Sequence, residues 1–161
     1  MQQATLCVLT KDDKILLGMK QRNLGKGNYN MPGGMEEESD EDALACALRE
    51  LHEETDGVTA RREDCELCAE LHFHFPINKE WSQVVRVFRV HSWEGEVKDT
   101  GEMLWEWLPL PSLPFDRMWD ADKHWLPKVL AGEKFKGVFH FKEDEKTVNT
   151  PEFTSLEGHT S

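Results

Sequence analysis

The chain has 161 residues, a formal charge of −12, 39% apolar residues and six tryptophans. That size and composition predict one domain over residues 1–161 with a buried core, and exclude a disordered chain. The acidic balance argues against nucleic-acid polymers and anionic membranes as partners, and no apolar run reaches the about 18 residues of a membrane span.

Residues 4–10 and 14–20 read as two strands around a turn at Asp12-Asp13. The N-terminus runs into the first strand without a basic or cleavable leader, which predicts a cytoplasmic protein. A glycine-rich loop follows at Gly25-Lys26-Gly27-Asn28, and a short segment then ends at Pro32-Gly33-Gly34. Residues 40–55 read as a helix capped by Ser39 or Asp40, with Leu44, Leu48 and Leu51 as its buried stripe. Strands are predicted at 66–75 and 84–93, with a shorter pair near 103–108 and 135–141. A second helix covers 120–131, opened by Asp120 or Asp122 and ended by Gly132. Strands mixed with two helices predict an α/β fold in which helices cover a mixed sheet, and the acidic tail after Asn149 adds nothing to it.

Cys7 and Cys46 lie in apolar segments and read as buried small hydrophobes. Cys65 and Cys68, with His72 and His74 behind them, raise a zinc site as a rival reading. Strand alternation argues against it. It puts Leu67, Ala69, Leu71, Phe73 and Phe75 on one face and Glu66, Cys68, Glu70, His72 and His74 on the other, so Cys65 points away from the remaining candidate ligands.

The densest chemistry is in Gly33-Gly34, Glu41 and Arg49-Glu50-Leu51-His52-Glu53-Glu54. Glu50, Glu53 and Glu54 are related by i+3 and i+4, so three carboxylates share about one helical turn. Carboxylates that close repel one another unless a cation sits among them. Magnesium is the obvious candidate, because it takes carboxylate and phosphate oxygens together. A run of glutamates alone is usually a solvated face. Here adjacent glycines leave a backbone carbonyl open to a metal, and Arg49 can pair with the carboxylates and hold them.

Together these residues resemble the signature of the Nudix hydrolases, a family that folds as an α/β/α sandwich with a mixed sheet and cleaves nucleoside diphosphate derivatives with magnesium. The resemblance implies Mg2+, with Mn2+ possible, held by Glu50, Glu53 and Glu54 with a backbone contact from Gly34. It also implies Arg49 and Glu41 as the structural pair. The chain is one residue longer than the family pattern before Glu41 and before Gly57, which makes Asp40 a competitor for Glu41's role. Glu53, central in the triad, is the expected neighbour of the attacking water, and Glu102 is a second candidate base or ligand. Lys20 is a candidate phosphate contact.

The resemblance extends to the branch of that family that hydrolyses oxidised purine nucleoside triphosphates such as 8-oxo-dGTP. Leu16–Lys20, Gly27–Asn30, Phe115–Trp119 and Lys134–Phe139 carry it. It implies a base pocket of Asn30, Asp122, Trp119, Trp125 and Phe73, with Thr5, Lys20 and Leu24 at the periphery. An asparagine amide offers both donor and acceptor to a purine edge, and an indole offers a stacking face. Asp122 can meet the base protonated or ionised. Ala121 replaces the first of two adjacent aspartates of that branch and Gln83 replaces an apolar residue, which predicts a narrower range of bases. The rival readings are a Nudix hydrolase for ADP-ribose, a methylated purine triphosphate or a dinucleoside polyphosphate, and a nucleotide-binding regulator without turnover. The expected partner is a small nucleotide, acted on by a monomer.

Overall fold

β1 (Gln2–Lys11) is apolar on both of its sides, and that decides the architecture. In the computed structural model, which describes residues 1–22 and 26–156, Ala4, Leu6 and Val8 face one apolar core while Cys7 and Leu9 face a second. β2 (Lys14–Lys20) divides likewise, with Ile15 and Leu17 in the first core and Leu16 in the second. A sheet buried on both faces needs a covering layer on each. α1 (Ala43–Thr55) covers the second core with Ala47 and Leu51, and α2 (Asp122–Leu130) covers the first with Trp125, Leu126 and Val129. The expected α/β/α sandwich results.

The sheet is mixed. Asp12 and Asp13 both take positive φ, the geometry of a tight hairpin turn, and fold β2 back antiparallel on β1. β2 also pairs with β3 (Tyr29–Asn30) and β7 (Met103–Pro109), both antiparallel. β1 runs parallel to β6 (Gln83–Val90) on one side and antiparallel to β4 (Gly33–Met35) on the other, with Thr5 opposite Gly34. Beyond β6 lie β5 (Cys65–His74), then β8 (Phe135–His140), then β9 (Glu152–Ser155). No helix among the described residues is long and apolar enough to cross a membrane.

Four expectations are corrected. α1 begins at Ala43, and its cap is neither Ser39 nor Asp40 but Asp42, whose Oδ1 accepts the Ala45 N–H at 2.8 Å. α2 spans Asp122–Leu130 rather than 120–131, with Ala121 rather than an aspartate at its N-cap. The tail after Asn149 contributes the edge strand β9, whose Phe153 packs on Phe135 and Phe139. In β5 a bulge between Leu67 and Ala69 breaks the alternation, so Leu67 is 39% exposed while Cys68 turns into the core. Cys68 therefore does not share a face with His72 and His74.

Candidate active site

α1 lies against β1 and β4, and the small residues Ala47 and Gly34 set how closely. A side chain at Gly34 would run into the Glu50 carboxylate, and one at Gly33 into the Thr5 carbonyl. Gly34 thus lets the helix bring Glu50 against the backbone of β4, and Gly33 lets β4 lie close to β1. The indole N–H of Trp105 donates to the Glu54 carbonyl at 3.0 Å and ties the helix end to β7.

Arg49 organises the carboxylates. Its guanidinium makes a two-pronged contact with Asp40, at 2.9 and 2.8 Å, and reaches Glu50 at 2.7 Å and Glu53 at 3.2 Å. The Arg49 hydrogen bonds hold the Asp40 carboxyl well below the usual carboxylate range. Glu41 is exposed, so the expected pair of Arg49 with Glu41 is corrected to Arg49 with Asp40. Both residues precede the helix, where helical spacing does not apply.

A cavity of about 540 Å3 opens between the end of α1 and the start of α2. Glu54, Glu102, Lys20 and the Gly33-Gly34 backbone line one end. Burial, then the neighbouring Glu50 carboxylate, pushes Glu54 up to about 7, and burial also raises Glu50. Glu53 has a mostly solvated side chain and is not on the cavity wall, so the carboxylate facing the interior is Glu54 rather than the expected Glu53. Arg22 donates to the Gly101 carbonyl at 3.1 Å, which steadies the loop carrying Glu102.

The other end is aromatic with a polar edge, formed by Asn30, Asp122, Phe73, Phe75, Trp119 and Phe141. Thr5 lies in the wall between the two ends, its hydroxyl 3.4 Å from the Cys46 sulfur. Asp122 is buried, and burial pushes its carboxyl up to about 7. Trp125 is fully buried and does not reach the cavity; its indole N–H donates to Asp122 Oδ1 at 3.0 Å. Trp125 is thus corrected from a stacking face to a residue that orients Asp122. Ala121, also fully buried, belongs to the core. Leu24 lies outside the described residues.

The carboxylate helix packs on the glycine strand and opens on a cavity with an aromatic end. A family model of the NUDIX domain matches residues 1–129. The chain belongs to the Nudix family. It is 33% identical over 138 residues to an oxidized purine nucleoside triphosphate hydrolase of Danio rerio, across 86% of this chain and 85% of that protein. It is 32% identical over 143 residues to the protein of the same name from Mus musculus, across 88% and 87%. Its fold matches a MutT protein from Bacillus halodurans with a TM-score of 0.77 at 24% identity, over 95% of this chain and 97% of that one.

Nudix hydrolases generally use divalent metals. The donor chemistry here suits a hard cation: the carboxylates are oxygen donors, and burial with the neighbouring Glu50 and Glu102 charges raises the proton affinity of Glu54, with Lys20 as a partial offset. Among the described residues no three such groups stand together in a ready ligand arrangement, and Arg49 is paired with both Glu50 and Glu53. Sequence reasoning found Asn30, Phe73, Trp119 and Asp122 but missed Phe75, Trp81 and Phe141 on the cavity wall. The signal for Trp81 was a lone tryptophan in the polar stretch between two strands.

Proposed function

We propose that this chain hydrolyses oxidised purine nucleoside triphosphates of the 8-oxo-dGTP type to the monophosphate and pyrophosphate, sanitising the nucleotide pool. The observation that carries the reading is one cavity with two chemistries: carboxylates and a lysine at one end, an aromatic pocket edged by Asn30 and Asp122 at the other. The names of the relatives in Danio rerio and Mus musculus support it. The chain is read as one domain acting as a monomer in the cytoplasm. A sheet running from β1 to β9 supports the first of these.

Mg2+, or Mn2+ in its place, would be held by Glu50, Glu53, Glu54 and Glu102 with the Gly34 carbonyl, and would neutralise phosphate charge. Arg49 presets Glu50 and Glu53 by direct contact. Glu54, inside the cavity, is placed to accept a proton from an attacking water. Lys20 meets the phosphate chain at the same end. Asn30 and Asp122 hydrogen-bond the polar edge of the base while Trp119 and Phe73 contact its faces.

Pyrophosphate release from 8-oxo-dGTP and dGTP, with magnesium, tests this reading. The wild type is expected to prefer 8-oxo-dGTP strongly and to lose turnover in both Glu54→Gln and Glu53→Gln. Equal turnover of the two nucleotides, or preferred turnover of ADP-ribose or a dinucleoside polyphosphate, would overturn it.

A further inference from the structure

We propose that Trp81 is a substrate-contacting residue of this cavity and that Glu145, outside it, is the positioning residue that holds Trp81 in place. This rests on reading the cavity as a nucleotide site. Trp81 sits at the end of the connection between β5 and β6, and 43% of its surface is exposed although it lines the cavity. Met35 at 40% and Trp119 at 39% are likewise exposed on the same wall. Scattered exposed apolar side chains are ordinary, whereas three gathered on one cavity mark a surface that a ligand covers.

The indole is not loosely placed. Its ring meets Phe75 edge-on at 5.7 Å, Phe75 stacks on Phe141 at 4.3 Å, and Phe141 meets Trp119 edge-on at 6.4 Å. Trp81 thus extends the aromatic wall that begins at Trp119. The connection that carries it is pinned at both ends. The Ser82 hydroxyl oxygen accepts the Phe75 N–H at 3.0 Å. The Glu145 carboxylate accepts the Ile77 N–H at 3.3 Å, the Asn78 N–H at 2.9 Å and the Asn78 side-chain amide at 2.6 Å. Glu145 stands on the turn after β8 with φ of 55°, far in sequence from the segment it fixes. Three donors on one carboxylate preset a segment that has little core of its own, and presetting reduces what binding must spend on ordering it. Gln83, also on the cavity, points its amide nitrogen toward the Trp81 carbonyl at 3.5 Å. An indole so placed offers a flat apolar face to a purine ring.

The test is calorimetric titration of 8-oxo-dGMP, the product expected of the proposed reaction, with metal removed by chelation. It uses the wild type, Trp81→Ala, Trp81→Phe, Trp81→Leu, Glu145→Ala and Trp119→Ala. Loss of the indole should weaken binding about tenfold. Trp81→Phe should recover most of that affinity, Trp81→Leu little, and Glu145→Ala should show a smaller loss. With 8-oxo-dGTP and magnesium, KM should rise by the same factors while kcat moves less. If Trp81→Ala does not fold, the difference between Trp81→Phe and Trp81→Leu decides the matter. Wild-type affinity in the Trp81 variants, with binding still lost in Trp119→Ala, overturns the assignment and leaves the nucleotide reading standing. Wild-type affinity in Glu145→Ala overturns its positioning role. A wild type that does not bind 8-oxo-dGMP overturns the nucleotide reading and the assignment with it.

Discussion

The two ends of the cavity are built in opposite ways. The carboxylate end comes largely from one continuous stretch, β4 through α1, with Glu102 and Lys20 added. The aromatic end is collected from distant segments, with Asn30 on β3, Phe73 on β5, Trp119 and Asp122 at the start of α2, and Phe141 after β8. One end is held by ion pairs around a single arginine, the other by burial and ring packing. On the proposed function, the first sets whether the reaction occurs and the second sets on which base. Substitutions at one end should therefore move kcat, and those at the other KM and selectivity.

The largest effect is expected at Glu54. Glu54→Gln keeps the shape and removes the carboxylate, and kcat should fall by roughly a hundredfold or more with little change in base preference. Steady-state kinetics with 8-oxo-dGTP and dGTP checks this, and a variant that changed selectivity instead would erase the division. Gly34→Ala comes next. Its new methyl group meets the Glu50 carboxylate, so Glu50 must move. Activity should drop on the order of tenfold or more, as expected when a group near the chemistry is misplaced by about an ångström. A variant of normal activity would show that Glu50's place against β4 is immaterial.

Asp122→Asn probes the other end. KM for 8-oxo-dGTP should rise about tenfold, the cost of one imperfect polar contact to a base, with kcat changed less. The same variant carries a pH signature. Burial holds the Asp122 carboxyl up to about 7 against an ordinary 3.8, so the folded chain binds that proton more tightly than the unfolded one. The resulting stabilisation is full below about 4 and is lost as pH rises through about 7. Thermal midpoints of the wild type should therefore fall between about pH 4 and 7 more than those of Asp122→Asn. Equal slopes would mean the carboxyl finds better solvation than its burial implies. The smallest effect concerns base range: with Ala121 buried in the core and Asp122 the acid on the cavity, turnover of 2-hydroxy-dATP should lag 8-oxo-dGTP several-fold. Equal rates would show that one carboxyl serves both bases.

Spacing read correctly wherever chain neighbours are also spatial neighbours. Glu50, Glu53 and Glu54 fall on one helical turn because i+3 and i+4 positions of a helix are neighbours, and the two strands read at 4–10 and 14–20 are β1 and β2. It misled where the regular period stopped. Glu41 has helical spacing to Arg49 on paper, yet the helix starts at Ala43, so the residue that meets the guanidinium is Asp40, folded back through its own contact with the Glu37 N–H. The bulge in β5 moved Cys68 inward for the same reason.

What the sequence by itself determined is the α/β class and the carboxylate helix, which follow from local periodicity, while its resemblance to the Nudix signature implied the sandwich and the glycine partner. Only the tertiary structure decided that Glu54 rather than Glu53 faces the cavity, that Trp125 orients Asp122 from the core, and that Trp81 joins the wall. Those facts depend on the rotation of a helix about its axis and on which strand ends the sheet brings side by side. Long-range packing fixes both, because it is the burial of whole faces rather than the pattern along the chain that selects among them.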